Sequence, residues 1–270
     1  MRVAVVGHVE WVEFVRVEHV PAAGEIVHAV ETWQEAGGGG AVAAAQLANL
    51  NGSAALYTSL GDDDLGRRTR AQLEELGVTV HATIRAQQRR AFTYIDRAGE
   101  RTITVLGEKL LPAGEDGRLP WEELGRVDAV YFVSGDVEAL HRARKARVLV
   151  AGARELATLQ RGGVEIDVLV GSGEDEGERF RPGDLDPAPR VVVTTSAGLG
   201  GWIQPGGPFT AAPLPGPIED AYGCGDCFAA GLTFGLAEGR PLDAAVALAA
   251  ECGAAVLTGR GPYAGQLRIR

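Results

Sequence analysis

The sequence predicts an α/β protein, a doubly wound and mostly parallel sheet covered by helices on both faces, with a small extra β element. Three observations predict it. Short apolar, β-branched runs alternate with helical patterns along the 270 residues, as in strands buried on both faces. Two glycine-rich loops, at residues 37–40 and 223–225, each open an Ala-rich helix. A hairpin pattern at residues 91–106 interrupts the alternation, with Arg97-Ala98-Gly99-Glu100 as its turn.

Taken in order, Val3 to Val6 is a buried strand ending at Gly7. Residues 14–20 alternate loosely and stop at Pro21, and residues 24–30 form a second β-branched run, so both are expected as strands. Residues 41–50 have strong helix propensity, 54–59 form a short strand, and Gly61-Asp62-Asp63-Asp64 leads a helix over 65–76 closed by Gly77. After the hairpin come strands at 129–133, 148–151, 167–170 and 191–195, with helices near 137–145 and 153–160. Helices near 227–238 and 242–257 close the sequence, and the Pro-, Gly- and charge-rich stretch 179–189 is a surface loop.

The net charge of −10 argues against nucleic acid and anionic membranes as partners. No run is long enough for a membrane span and the N-terminus lacks a secretory pattern. Three cysteines do not make a disulfide framework and fit a reducing, cytoplasmic setting. Cys224 and Cys227 have C-x-x-C spacing at a helix start, where a lowered thiol pKa and redox chemistry are one reading; two small residues in a tight turn are the other.

The chemistry concentrates in Asp220-Ala221-Tyr222-Gly223-Cys224-Gly225-Asp226. Glycines ahead of a helix let backbone N–H groups turn toward an anion, and the helix N-terminus adds partial positive charge. A carboxylate beside that cradle is placed to take a proton from an attacking hydroxyl, the pairing phosphoryl transfer needs. The bland alternative is an Asp capping a helix after a glycine turn. No Gly-x-x-x-x-Gly-Lys-Ser/Thr is present, so a Walker-type loop is not the route. The loop after the first strand lacks G-x-G-x-x-G, which disfavours a dinucleotide oxidoreductase.

The glycine-rich loop near residue 40, the motif Ser59-Leu60-Gly61-Asp62-Asp63-Asp64-Leu65-Gly66 and the Asp220 to Asp226 segment occur in one order. With Pro21-x-x-Gly24-Glu25, Gly99-Glu100-Arg101-Thr102, the 195–201 turn and Arg240-Pro241-Leu242, the chain resembles the ribokinase-like (PfkB) carbohydrate kinases over essentially its whole length. The resemblance implies one 1–270 domain, a three-layer αβα sandwich with a β-sheet lid from about 10–32 and 89–107. It implies Asp226 as catalytic base, Gly223, Cys224 and Gly225 as anion hole, and Asp220 as the acid opening and supporting that loop. Thr195, Gly198 and Gly200 would lie against the nucleotide. ATP and Mg²⁺ would be the cofactors, with a monovalent cation left open, and a homodimer through the lid is implied.

Departures cluster on the acceptor side. The family's hydroxyl-binding Asp falls on Val12, with Glu10 or Glu13 as the available substitutes. Its sugar-contacting Asn falls on Val42, leaving Gly37 and Gly38 to admit a substrate close to backbone. Its metal-ordering Asn-x-x-Glu falls on Ser172 to Asp175, so Asp175 and Glu176 are the candidate metal carboxylates; a solvated acidic helix start is the alternative. Trp11 offers a stacking face or a lid-core side chain, and Arg101 an anion contact or a surface hairpin position. The resulting expectation is an ATP-dependent kinase for a hydroxyl of a small sugar-like or nucleoside-like molecule. A non-catalytic ligand-binding protein of the same fold is the second reading.

Overall fold

The computed structural model describes residues 1–269. Thirteen strands and six α-helices follow the chain as β1 (Val3–Val6), β2 (Glu10–Arg16), β3 (Glu31–Gly37), α1 (Gly39–Asn51), β4 (Ala54–Gly61), α2 (Asp64–Glu75), β5 (Val78–Arg85), β6 (Arg90–Ile95), β7 (Arg101–Leu106), β8 (Ala129–Phe132), α3 (Val137–Ala143), β9 (Val148–Gly152), α4 (Leu156–Gly162), β10 (Val168–Ser172), β11 (Val191–Thr195), β12 (Gly201–Gln204), β13 (Pro208–Phe209), α5 (Cys224–Ala237) and α6 (Leu242–Val256).

The large sheet has nine strands in the order β13-β12-β11-β10-β9-β8-β1-β4-β5. The β1, β4, β5, β8, β9, β10 and β11 ladders are parallel, and β12 and β13 add antiparallel edges. Because parallel strands are covered on both faces, two cores form. One joins Val3 and Val5 to Leu47 of α1, Leu73 of α2, Phe228 of α5 and Val246 of α6. The other joins Ala4 and Val6 to Leu140 of α3 and Leu159 of α4. The result is the three-layer sandwich.

The four-stranded sheet has the order β3-β2-β6-β7. It corrects the expectation for residues 14–30. The strands are Glu10–Arg16 and Glu31–Gly37, and residues 17–30 form a loop in which Ile26 is 88% exposed. The β-branched run at 26–30 has no partner to pair with, because β3 and β6 already occupy both edges of β2. A turn closed by Glu25 N–H to Ala22 C=O (3.0 Å) folds the loop back instead. Strand β5, absent from the sequence-based reading, pairs with β4 in parallel at the large sheet's edge.

Strand β1 lies between β4 and β8, where the winding of the large sheet reverses. Such a switch point leaves a crevice at the carboxyl ends of the strands. Here those ends are Gly7 and His8 after β1 and Val133 and Ser134 after β8.

Candidate active site

The two glycine-rich loops meet at this crevice. Gly38 precedes α1 with φ +81°, and Gly223 precedes α5 with φ +82°, both in the region that suits glycine. Gly38 N–H donates to the Tyr222 hydroxyl at 2.9 Å, which ties one loop to the other. A Cβ on Gly39 would stand 2.6 Å from Asp226 Oδ1 and 2.8 Å from Val133 Cγ1, so the main chain lies directly against the carboxylate. A Cβ on Gly223 would meet Val42 Cγ1 at 2.7 Å. Val42, where an amide was expected to be missed, is thus packed under the Gly223 turn.

Asp226 sits in the first turn of α5. The helix N-terminus favours its anion by about 0.3–1 kcal/mol. Burial opposes this and wins, pushing its carboxyl up to about 7, with the Glu178 carboxylate adding to the rise and Arg101 and Arg154 resisting it. Cys224 and Gly225 follow Gly223 at the helix start, and no atom lies within 4 Å of a Cβ built on Gly225. The space that a side chain at Gly225 would take is therefore open.

Asp220 does not face the crevice. It is fully buried, accepting from Tyr222 N–H at 2.8 Å and Gly261 N–H at 3.0 Å. Through these two bonds it clamps the loop that leads into α5. Arg101 Nη1 donates to Ala221 C=O at 3.1 Å, so this exposed hairpin residue braces the same loop.

On the acceptor side the structure separates the two candidate glutamates. Glu10 is buried, and its Cγ lies 3.3 Å from where a Cβ on Gly38 would sit. Glu13 falls at the alternate position of β2 and is exposed, away from this cluster. Val12 packs against Gly37. His8, missed in the sequence, reaches the same point: its Cδ2 is 3.2 Å from the Gly38 Cβ position and its Nδ1 3.0 Å from Ser134 Oγ. Burial, with Lys109, Arg89 and Arg154, holds the imidazole well below its usual pKa and therefore neutral. Trp11 is core, donating to Gln34 Oε1 at 3.3 Å beneath the Arg68 guanidinium.

Asp175 and Glu176 lie after β10. Asp175 caps a short 3₁₀ turn through Gly177 N–H at 2.8 Å and pairs with Arg154, while the Glu176 side chain is 89% exposed. Among the described residues no three His, Cys, Asp or Glu side chains are grouped as a metal cage. Asp175, itself 45% exposed, is held by the Arg154 cation and Glu176 faces solvent, so the two do not form a protein-built cage for Mg²⁺. Glu178, two residues beyond, is the carboxylate whose charge reaches Asp226.

Thr195 ends β11 and donates to Gly171 C=O at 3.3 Å. A 3₁₀ turn over Ala197–Leu199 carries Gly198, with open space where its Cβ would be, and Gly200 follows with φ +98°. Phe209 stacks on Phe228 of α5 at 5.9 Å, fastening the β12–β13 hairpin beside the helix. Redox chemistry at Cys224 and Cys227 finds no support. Burial raises both thiols above their usual pKa, so desolvation outweighs the helix N-terminus.

A doubly wound sandwich whose switch-point crevice ends on a desolvated acid at a glycine-lined helix start is the architecture of a phosphotransferase acting on alcohols. The chain belongs to the pfkB family of carbohydrate kinases, matching it over residues 1–159 and 185–268. It is 28% identical to the ATP-dependent ribose-1-phosphate kinase of Halopiger xanaduensis, covering 94% of this chain and 91% of that one. Its fold is that of the Thermotoga maritima ribokinase (TM-score 0.78, 19% identity, 99% and 96% of the two chains). It matches likewise the Cryptococcus neoformans ribokinase solved with ADP (TM-score 0.76, 21% identity, 97% and 95%). The protein is accordingly a carbohydrate kinase of the pfkB family with a ribokinase-like fold. Among the described residues no helix is long and apolar enough to cross a membrane.

Proposed function

We propose that the protein transfers the terminal phosphoryl group of ATP to a hydroxyl of a small sugar-like or nucleoside-like molecule, with Asp226 as general base. The observation that carries this reading is the Asp226 carboxylate held against Gly39 at the start of α5, its pKa raised to about 7 by burial. A base titrating there is half ionised near neutral pH and strong enough to accept a proton.

The acceptor oxygen attacks the terminal phosphorus in line, its proton passes to an Asp226 oxygen, and the bond to the ADP leaving oxygen breaks. Charge on the transferred group is held by the N–H groups of Gly223, Cys224 and Gly225 and by the α5 dipole. Thr195, Gly198 and Gly200 line the nucleotide side. The four-stranded sheet acts as a lid that excludes water, and Mg²⁺ enters only as part of the nucleotide substrate. The relative from Halopiger acts, by its name, on ribose 1-phosphate, which adds phosphorylated pentoses to the acceptors worth trying.

The test is ADP release across sugars, polyols, sugar phosphates and nucleosides, with Asp226→Asn beside the wild type. At least one acceptor should turn over, and the variant should lose about 10²–10⁴-fold in kcat. Equal rates for the two proteins would remove Asp226 from the role. Tight binding of an acceptor without turnover would favour the non-catalytic reading, which the Val12 and Val42 replacements motivate.

A further inference from the structure

We propose that Arg89 receives an anionic group on the acceptor, so that the substrate is a phosphorylated sugar and not a neutral one; this rests on the kinase reading above. Arg89 lies between β5 and β6 on a fixed main chain. Its carbonyl accepts from Trp11 N–H at 2.9 Å, and the preceding Gln88 N–H donates to Asp63 Oδ2 at 3.0 Å. Asp63 belongs to the motif at residues 59–66, so that motif fixes where Arg89 stands.

The Arg89 side chain is only 12% exposed, with Nε 3.1 Å from Glu10 Oε1. Nε and Nη1 are nonetheless shielded from water without an aligned hydrogen-bond partner. A buried donor left unmatched costs about 1–3 kcal/mol, and more when charged. The guanidinium fork matches phosphate oxygens in geometry.

Neighbouring cations are compensated. Lys109 pairs with Glu155 at 2.5 Å, and Arg154 with Asp175 and with Glu178 at 2.9 Å. Arg89 faces Glu10, whose carboxylate burial disfavours, so its charge is offset less well. A phosphate monoester brings about −1.5 to −2 charges and three acceptor oxygens.

Placement agrees. Glu10, beside Arg89, touches the Gly38 Cβ position, and Asp226 touches that of Gly39. Neighbouring Cα atoms are about 3.8 Å apart. An acceptor laid along this peptide presents one end to Arg89 and a hydroxyl to Asp226. With Val12 and Val42 packed against Gly37 and Gly223, hydroxyl recognition at those positions is lost. An ionic anchor supplies the binding energy instead.

The experiment compares kcat/KM for ribose 1-phosphate, ribose 5-phosphate, ribose and gluconate in the wild type, Arg89→Met and Arg89→Lys, each first checked by thermal melting. A sugar phosphate should be the best acceptor. Arg89→Met should lower its kcat/KM by about 10- to 100-fold, mostly through KM, the loss expected for charged hydrogen bonds. Its preference over ribose should collapse, and Arg89→Lys should recover part of it. A better rate with ribose or gluconate overturns the proposal. So does an equal loss on every acceptor, which would make Arg89 a positioning residue for Glu10. If Arg89→Met does not fold, the same comparison with Arg89→Lys decides. If the wild type turns over no acceptor, the kinase reading has failed, and calorimetric titration with the two sugar phosphates decides the subsite. Binding weakened by either variant supports it; no binding, or unchanged binding, overturns it.

Discussion

Replacing Asp226 with Asn should make the ligand-free protein more stable above neutral pH. Folding lifts this carboxyl from 3.8 to about 7. At about 1.36 kcal/mol per unit the ionised form is disfavoured by at most about 4 kcal/mol. The carboxylate retains some contact with water in the crevice, which brings the expectation down to roughly 1–3 kcal/mol. For a chain of this size that is about 2–6 °C in melting temperature. The folded pKa lies above the unfolded one, so the folded state binds more protons between about 4 and 7 and loses stability as pH rises through that window. Asn does not titrate. The difference between variant and wild type should therefore shrink toward zero as pH approaches 4 and reach its full value by pH 8. Calorimetry on both proteins at matched ionic strength reads it directly, and the other raised carboxyls, Glu10, Glu35 and Asp220, cancel because both proteins carry them. A variant that melts below the wild type at pH 8 would refute the reasoning, because Asp226 would then be a stabilising helix-start acid.

The base form of Asp226 should govern the pH–rate profile: kcat/KM should rise about tenfold per unit below pH 7 and level above it, whereas a flat profile from 5 to 8 would exclude a base titrating near 7. Gly39→Ala places a methyl 2.6 Å from Asp226 Oδ1 and should cut turnover at least about 100-fold while the protein still folds; undiminished turnover would show that this contact is not part of the reacting floor. Asp220→Ala leaves Tyr222 N–H and Gly261 N–H unmatched in a buried place and should cost about 2–4 kcal/mol, read by denaturant unfolding, with Asp220→Asn recovering part of it.

The parts of this molecule legible in its sequence are those with local causes. Parallel strands announce themselves as apolar runs. The glycine turns at residues 37–40 and at Gly223 are legible because a backbone lying against another group leaves no room for a Cβ. What was not legible depends on partners distant in sequence. Residues 26–30 have strand propensity and form no strand, since β2 has no free edge. Choosing Glu10 over Glu13 requires the register of β2 against Gly38, which a one-residue shift would reverse. Arg154 draws Asp175 and Glu178 together, pairings across 21 and 24 residues. His8 and Arg89 carry no motif at all. Their signal is burial of a charge or ring beside the crevice, which appears only once β1, β6 and β8 have assembled.

The way the small sheet is mounted ties the proposed acceptor contacts to the proposed catalytic floor. Strand β3 ends at Gly37 and runs straight into Gly38 and Gly39, and β2 carries Glu10. The same sheet grips the loop before α5 at several points. Phe14 meets Tyr222 edge-on at 5.0 Å and stacks on Trp33 at 4.9 Å, Arg101 binds Ala221 C=O, and Ala221 N–H donates to Gly99 C=O at 2.8 Å. A rigid displacement of that sheet would move Glu10, the Gly38–Tyr222 hydrogen bond and the peptide lying on Asp226 together. Contact at the acceptor end is therefore mechanically coupled to the environment of the base some way along the same backbone. Tyr222→Phe removes one link, worth about 1 kcal/mol, without a change of charge. That variant should lower kcat more than it raises KM for the acceptor. A rise in KM alone would mean that the sheet binds substrate without positioning it.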